Sequence, residues 1–205
     1  MTLRWIVIAL LLSASPLQAE VSLSEGAQKY QTCAGCHGPK AEGIEALRAP
    51  ALSHLQPVYI VRQLQNYVAG VRSGSPSSPA GQMAAAVASW EDIQDKRSLA
   101  VYIASLDSVS KPQTLAGNAG AGERAFLSLC AGCHGRDAKG KNVLHAPALA
   151  GANDWYLLAQ MKAFQSGERG SHPSDGLGVQ MQSMASLLDD QKLLDVIAYI
   201  TAQPQ

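Results

Sequence analysis

Aromatic residues are scarce in this 205-residue chain, at 5% with two Phe in all. A core of ordinary size therefore needs bulk from a source other than aromatic side chains. Charge is scarce too, and balanced: 16 Lys+Arg stand against 16 Asp+Glu. With no net basic field to track phosphates, nucleic-acid binding is excluded as a function class. At 47% apolar and 16% charged, the composition is too apolar for a disordered chain. No apolar run is long enough to span a bilayer; the longest is Trp5 to Leu12. No pairing of nucleophile with base points to hydrolysis. By length the chain is one domain or two small ones.

What is present begins with an address. Arg4, the apolar run Trp5 to Leu12, and then Ser13 through Ala19 have the layout of a secretory signal, with cleavage after about Ala19. In an exported protein, four Cys would ordinarily mean two disulfides. Their spacing says otherwise. They fall as Cys33-Ala34-Gly35-Cys36-His37-Gly38 and as Cys130-Ala131-Gly132-Cys133-His134-Gly135. C-x-x-C-H is the attachment signature of a c-type haem. Two thiols about one helical turn apart can reach the two vinyl groups of a porphyrin, and the adjacent His is held under the iron. A structural zinc site needs four converging ligands, and a thioredoxin-like pair needs neither the His nor a duplicate.

The duplication reaches beyond the motif. An offset of 97 carries Cys33 onto Cys130, Ala49-Pro50-Ala51-Leu52 onto Ala146-Pro147-Ala148-Leu149, Tyr59 onto Tyr156, Gln63 onto Gln160, Arg72 onto Arg169 and Tyr102 onto Tyr199. The exported chain thus reads as one unit written twice, residues 20–107 and 123–205, around a turn-rich linker over 108–122. Within a unit the periodicity is helical. Val58, Val61, Leu64, Gln65 and Val68 form one stripe after Pro57, and Leu157, Leu158, Met161 and Phe164 form another before Gly167. Ser89-Trp90-Glu91-Asp92 has capping-box spacing ahead of a last helix. The fold class is therefore all-α, with short helices and long loops in each unit.

Thioether sulfur is the expected sixth ligand of a high-potential haem iron, and Met83, Met161, Met181 and Met184 are the candidates outside the leader. Met161 maps onto Leu64 in a helix stripe and reads as core. Met83 lies seven residues before Trp90, as Met181 lies seven before Leu188. The pair Gln180-Met181 also matches Gln82-Met83, which favours Met181 over Met184. This register requires one extra residue in the second loop. His54, His145 and His172 are minor alternatives.

The repeated pattern of Cys-Ala-Gly-Cys-His-Gly, Ala-Pro-Ala-Leu, an aromatic-led helix ending in Gly-x-Arg, a Met and a last helix with Tyr resembles the dihaem cytochrome c4 family. The resemblance implies two class I cytochrome c domains in a pseudo-twofold relation, each with one covalent haem c. It implies attachment through Cys33, Cys36, Cys130 and Cys133, with His37, Met83, His134 and Met181 as axial ligands of the iron. Pro50 and Pro147 would offer backbone carbonyls to the proximal His residues. Arg72 and Arg169 would lie near haem propionates, or else be solvated helix-end charges. Tyr59 and Tyr156 would pack on haem or helix. The implied function is non-catalytic transfer of single electrons in the periplasm, between respiratory donors and a terminal oxidase or reductase. Any membrane association would run through those partners. Similar dihaem chains serve as electron-accepting subunits of dehydrogenases such as flavocytochrome c sulfide dehydrogenase, and that alternative stays open.

Overall fold

The computed structural model describes residues 21–107 and 111–204. The expected leader and the linker residues Ser108 to Ser110 lie outside the described residues. Among those described, the chain is helical, and its only extended pairings are the isolated bridges Ile44–Ala49 and Lys141–Ala146.

The first unit comprises α1 (Leu23–His37), α2 (Pro57–Val68), α3 (Pro79–Ala86) and α4 (Ile93–Ser105), with a 3₁₀ turn at Glu45–Leu47. The second comprises α5 (Ala119–Leu129), α6 (Ala131–His134), α7 (Asp154–Ser166), α8 (Gly176–Ala185) and α9 (Asp190–Thr201), with a 3₁₀ turn at Asn142–Leu144. In each, the first and last helices cross closely. The crossing is possible because Gly26 abuts the Ser98 carbonyl and Gly122 abuts the Asp195 carbonyl, where no Cβ has room. Around the crossings sit two separate cores. One holds Tyr30, Ile60, Leu64, Leu99 and Ile103; the other holds Phe126, Leu157, Leu193, Val196 and Ile197. Tyr30 stacks at a tilt on Tyr102 at 5.6 Å, and Phe126 on Tyr199 at 5.2 Å. Few aromatics suffice because each first-to-last crossing uses just one such pair.

These pairs expose a break in the repeat. Gly26 and Tyr30 correspond to Gly122 and Phe126 at an offset of 96, whereas the Cys motifs correspond at 97. The extra residue lies between Phe126 and Cys130, and there the helix is interrupted: Cys130, at φ −114°, divides α5 from α6, whereas α1 runs unbroken through Cys33.

Several expectations need correction. The last helix of the first unit is capped by Asp92, whose carboxylate accepts from Gln94 N at 2.7 Å, and not by Ser89. An ionised carboxylate caps at least as well as a hydroxyl. The buried stripe of α2 runs through Ile60 and Leu64, while Val58 is 43% exposed at the helix start. The α5 helix begins at Ala119, inside the segment read as linker, because Asn118 caps it through Ala121 N. The rest of that linker is strapped down. The fully buried Asp154 carboxylate accepts from Thr114 N, Thr114 Oγ1 and Leu115 N at 2.5, 3.0 and 2.7 Å. These bonds outweigh the cost of burial and hold its pKa below the usual carboxylate value.

Candidate functional site

Each Cys-x-x-Cys-His sequence ends a helix. His37 closes α1 and His134 closes α6, and Gly38 and Gly135 follow at φ 82° and 78°. A left-handed step there turns the chain away at once, which leaves the His ring free of its own helix. Thirteen residues on, the chain returns beneath the ring. His37 Nδ1 donates to the Pro50 carbonyl at 2.8 Å and His134 Nδ1 to that of Pro147 at 2.9 Å. A carbonyl can only accept, so Nδ1 carries the proton and Nε2 presents a lone pair. Both rings are buried, at 7% and 5% exposure. Burial lowers both pKa values against the opposing pull of the proline carbonyls, which favours the neutral, ligating form.

No disulfide pairs the four cysteines; Cys33 and Cys130 are half-buried, and Cys36 and Cys133 are exposed. Burial raises the pKa of the Cys33 thiol and pushes that of Cys130 up to about 11, so neither is a thiolate at neutral pH. Met83 is half-buried against the core of the first unit. Met181 is half-buried on α8, and Met184 is 37% exposed one turn further on. Met161 packs on the second core, as its stripe position implies. The caps of α3 and α8 are Ser78 and Asp175, and those of α4 and α9 are Asp92 and Asp189, all at an offset of 97. The extra residue ahead of Met181 is thus compensated after Leu188, which directly precedes its cap while Trp90 stands two residues before its own. Of the three lone His, His145 and His172 are exposed, and His172 Nδ1 is engaged by Ser174 N at 3.1 Å. His54 has its Nδ1 enclosed without a hydrogen-bond partner.

Between the units lies a reciprocal polar network. Arg72 donates to Gln63 Oε1 at 2.6 Å in its own unit, and to Tyr156 Oη at 3.1 Å and Gln160 Oε1 at 2.8 Å in the other. Arg169 mirrors this with Gln160 at 2.6 Å, Tyr59 at 3.0 Å and Gln63 at 3.3 Å. Each guanidinium also stacks on a ring of its own unit, Arg72 on Tyr67 at 4.8 Å and Arg169 on Phe164 at 4.5 Å. Neither arginine is a solvated helix-end charge: Arg72 is only 9% exposed and Arg169 is half-buried. Half-buried Tyr59 has a lowered pKa because the charges of Arg169 and Arg72 outweigh the effect of burial. Among the described residues no carboxylate forms an ion pair with either arginine. The network borders a cleft of about 110 Å³ lined also by Arg48 and Trp155. A second reciprocal pair ties the loops: Asn153 Oδ1 accepts from Ala51 N at 2.7 Å, and Gln56 Oε1 from Ala148 N at 3.0 Å.

The cytochrome c family model matches the chain twice, over residues 23–107 and 119–203. The chain belongs to the cytochrome c family. The two matches stand in tandem, one over each unit. The chain is 28% identical to cytochrome c4 of Azotobacter vinelandii over 85% of this chain and 86% of that one. It is 31% identical to the thiosulfate dehydrogenase electron acceptor of Stutzerimonas stutzeri over 82% of this chain and 76% of that one. Among solved structures, cytochrome c4 of Pseudomonas stutzeri superposes with a TM-score of 0.70 at 24% identity, covering 90% of this chain and all of that one. Thiosulfate dehydrogenase of Marichromatium purpuratum superposes at 0.72 with 26% identity, covering 89% of this chain. This cytochrome spans 40% of that enzyme's chain.

Two covalent haem c groups are its cofactors, and the residues present fit them. Each site combines two cysteines not paired as a disulfide with a buried imidazole whose Nδ1 is held by a proline carbonyl and whose Nε2 is unengaged. The interface adds the buried guanidinium of Arg72 and the half-buried one of Arg169, neither ion-paired to a carboxylate among the described residues, a disposition suited to propionates.

Proposed function

We propose that this cytochrome is a one-electron carrier of the periplasm, working between respiratory donors and a terminal oxidase or reductase. The observation that carries the reading is the repeated Cys-x-x-Cys-His turn, with each imidazole fixed by a proline carbonyl in the ligating tautomer. A haem c bound at each site supplies an Fe(III)/Fe(II) couple. Cys33, Cys36, Cys130 and Cys133 would hold it covalently, and His37 and His134 would be the proximal ligands. Met83 and Met181 would be the distal ones. Were both axial positions filled by these side chains, no position would stay open for a substrate, which supports a non-catalytic role. No described helix is long and apolar enough to cross a membrane. The N-terminal leader read from the sequence supports export to the periplasm.

A second reading is favoured by the relatives named thiosulfate dehydrogenase electron acceptor. In it the chain accepts electrons from a dehydrogenase with which it associates. Co-purification separates the two readings: a carrier elutes alone, and a subunit elutes with its dehydrogenase.

The pyridine haemochrome assay should return two c-type haems per chain, and acid acetone should extract none. Met181→Ala should remove about half of the near-infrared sulfur-to-iron band and lower one of two positive midpoints, while Met184→Ala leaves the band whole. One haem per chain, or haem that acid acetone extracts, would overturn attachment of a covalent haem at both Cys-x-x-Cys-His turns. Loss of the band in the Met184 variant alone would reassign the distal ligand.

A further inference from the structure

The two units are alike in fold but not in the surface beside their attachment turns. Gly135 to His145, in the second unit, carries Arg136, Lys139 and Lys141 against one carboxylate, Asp137. The matching loop of the first unit, Gly38 to Arg48, balances Lys40 and Arg48 against Glu42 and Glu45. The formal balance is +2 in one and zero in the other.

The same loop of the second unit holds the most exposed large apolar side chain among the described residues. Val143 is 86% exposed, and its neighbour Leu144 is 45% exposed. The first unit has Ala46 and Leu47 at those places, and since Leu47 is 50% exposed it is Val143 that sets the two tips apart. Burial within this fold does not account for Val143, which rides on the outer side of the 3₁₀ turn Asn142–Leu144. Nor is the turn loose. It is pinched by the Lys141–Ala146 bridge and closed by His145 in the left-handed region at φ 55°. The first unit braces it further: Gln56 Nε2 donates to the Lys139 carbonyl at 2.7 Å, and an Arg62 NH group to the His145 carbonyl at 2.9 Å. Gln56 has a positional counterpart in Asn153, but Arg62 corresponds to Ala159 and is not reciprocated. Only the loop of the second unit receives this additional brace.

The patch also touches the attachment turn. Lys141 Nζ donates to the Gly132 carbonyl at 2.8 Å, between the two Cys of the motif, and Cys133 beside it is exposed. Ile44 stands at the matching place in the first unit and has no such donor. A rigid apolar tip ringed by cations and joined to the haem-bearing turn has the anatomy of a transient protein interface, with a small apolar centre and a charged rim that steers encounter.

We propose that the Gly135–His145 loop is the docking surface of this cytochrome, and that it receives a redox protein presenting an apolar hollow rimmed by carboxylates. Electrons exchanged with that partner pass through the second unit first, and the first unit is reached across the interface. The inference rests on the electron-carrier reading.

Reduced flavodoxin, an acidic protein with an apolar flavin edge, serves as the probe against the oxidised dihaem protein in stopped-flow. The rate constant should fall as salt rises. Arg136→Glu with Lys139→Glu should lower it about tenfold at low ionic strength and flatten its salt dependence. Val143→Ser should weaken the complex severalfold in calorimetric titration, while Leu47→Ser in the first unit leaves binding unchanged. Equal effects at Val143 and Leu47, or rates indifferent to charge reversal, would overturn the docking site. Ascorbate serves as the small-molecule control. If it reduces both haems of every variant at the wild-type rate while flavodoxin rates stay untouched by the substitutions, docking fails and the carrier reading stands. Haems that no reductant can convert would instead sink the carrier reading.

Discussion

His54 shows how one side chain can set an acid limit. Its Nδ1 is enclosed without a hydrogen-bond partner, and burial, with the Lys111 charge adding to it, lowers its pKa to about 3. In the unfolded chain the same ring takes a proton near pH 6.5. Between those limits the unfolded state binds the extra proton. Stability due to this group is therefore full above pH 6.5 and declines as pH falls toward 3, by at most about 1.4 kcal/mol per unit. Urea titrations of the holoprotein from pH 7 to 4 should show a shallower decline for His54→Gln than for wild type. Parallel pH profiles would mean that the ring already reaches water in the native state. The second unit has Gly151 at this place, so the acid sensitivity belongs to the first unit.

At the scale of elements, the two glycine crossings govern whether the first and last helices can meet. A methyl at position 26 would meet the Ser98 carbonyl and the Tyr102 side chain, and one at 122 would meet the Asp195 carbonyl. Because the obstacle includes backbone, relief requires a helix to move. Gly26→Ala and Gly122→Ala should each cost about 1–3 kcal/mol despite the better helix propensity of Ala. Thermal unfolding followed by circular dichroism checks this, and an unchanged midpoint for either variant would show that the crossing is looser than drawn. The same elements explain why the repeat is inexact. The additional residue between Phe126 and Cys130 would rotate the attachment turn by about 100° if the helix continued. Interrupting the helix at Cys130 restores both the Phe126–Tyr199 contact and the His134–Pro147 bond.

For the whole molecule, the interface network decides whether two domains behave as one. Arg72 and Arg169 each bond to both units, so removing either strands acceptors on both sides. Arg72→Ala should weaken domain association by about 2–4 kcal/mol, since charge-assisted bonds in an enclosed site are lost together. In calorimetry of the dihaem protein, a single unfolding transition should separate into two. The double variant with Arg169→Ala should cost less than the sum, because both arginines share Gln63 and Gln160. Strict additivity would show that the two halves of the network act independently.

Much of this protein is local and therefore legible in the amino-acid order. The attachment turns, their adjacent His and the helical periodicity all lie within short segments, so spacing alone specifies them, while the proline thirteen residues on is legible only through the family resemblance. The tandem architecture follows from self-similarity at an offset of 97. What the order could not supply depends on contacts between distant residues. Tyr59, Gln63 and Arg72 are visible as repeated positions, yet only the docking of one unit on the other turns them into a reciprocal bridge. Asp154 reads as an ordinary helix-start carboxylate until the chain before α5 folds back onto it. The interruption at Cys130 has no breaker residue to announce it; it arises because the helix crossing and the haem-bearing turn must both be satisfied at once, and that requirement exists only in three dimensions.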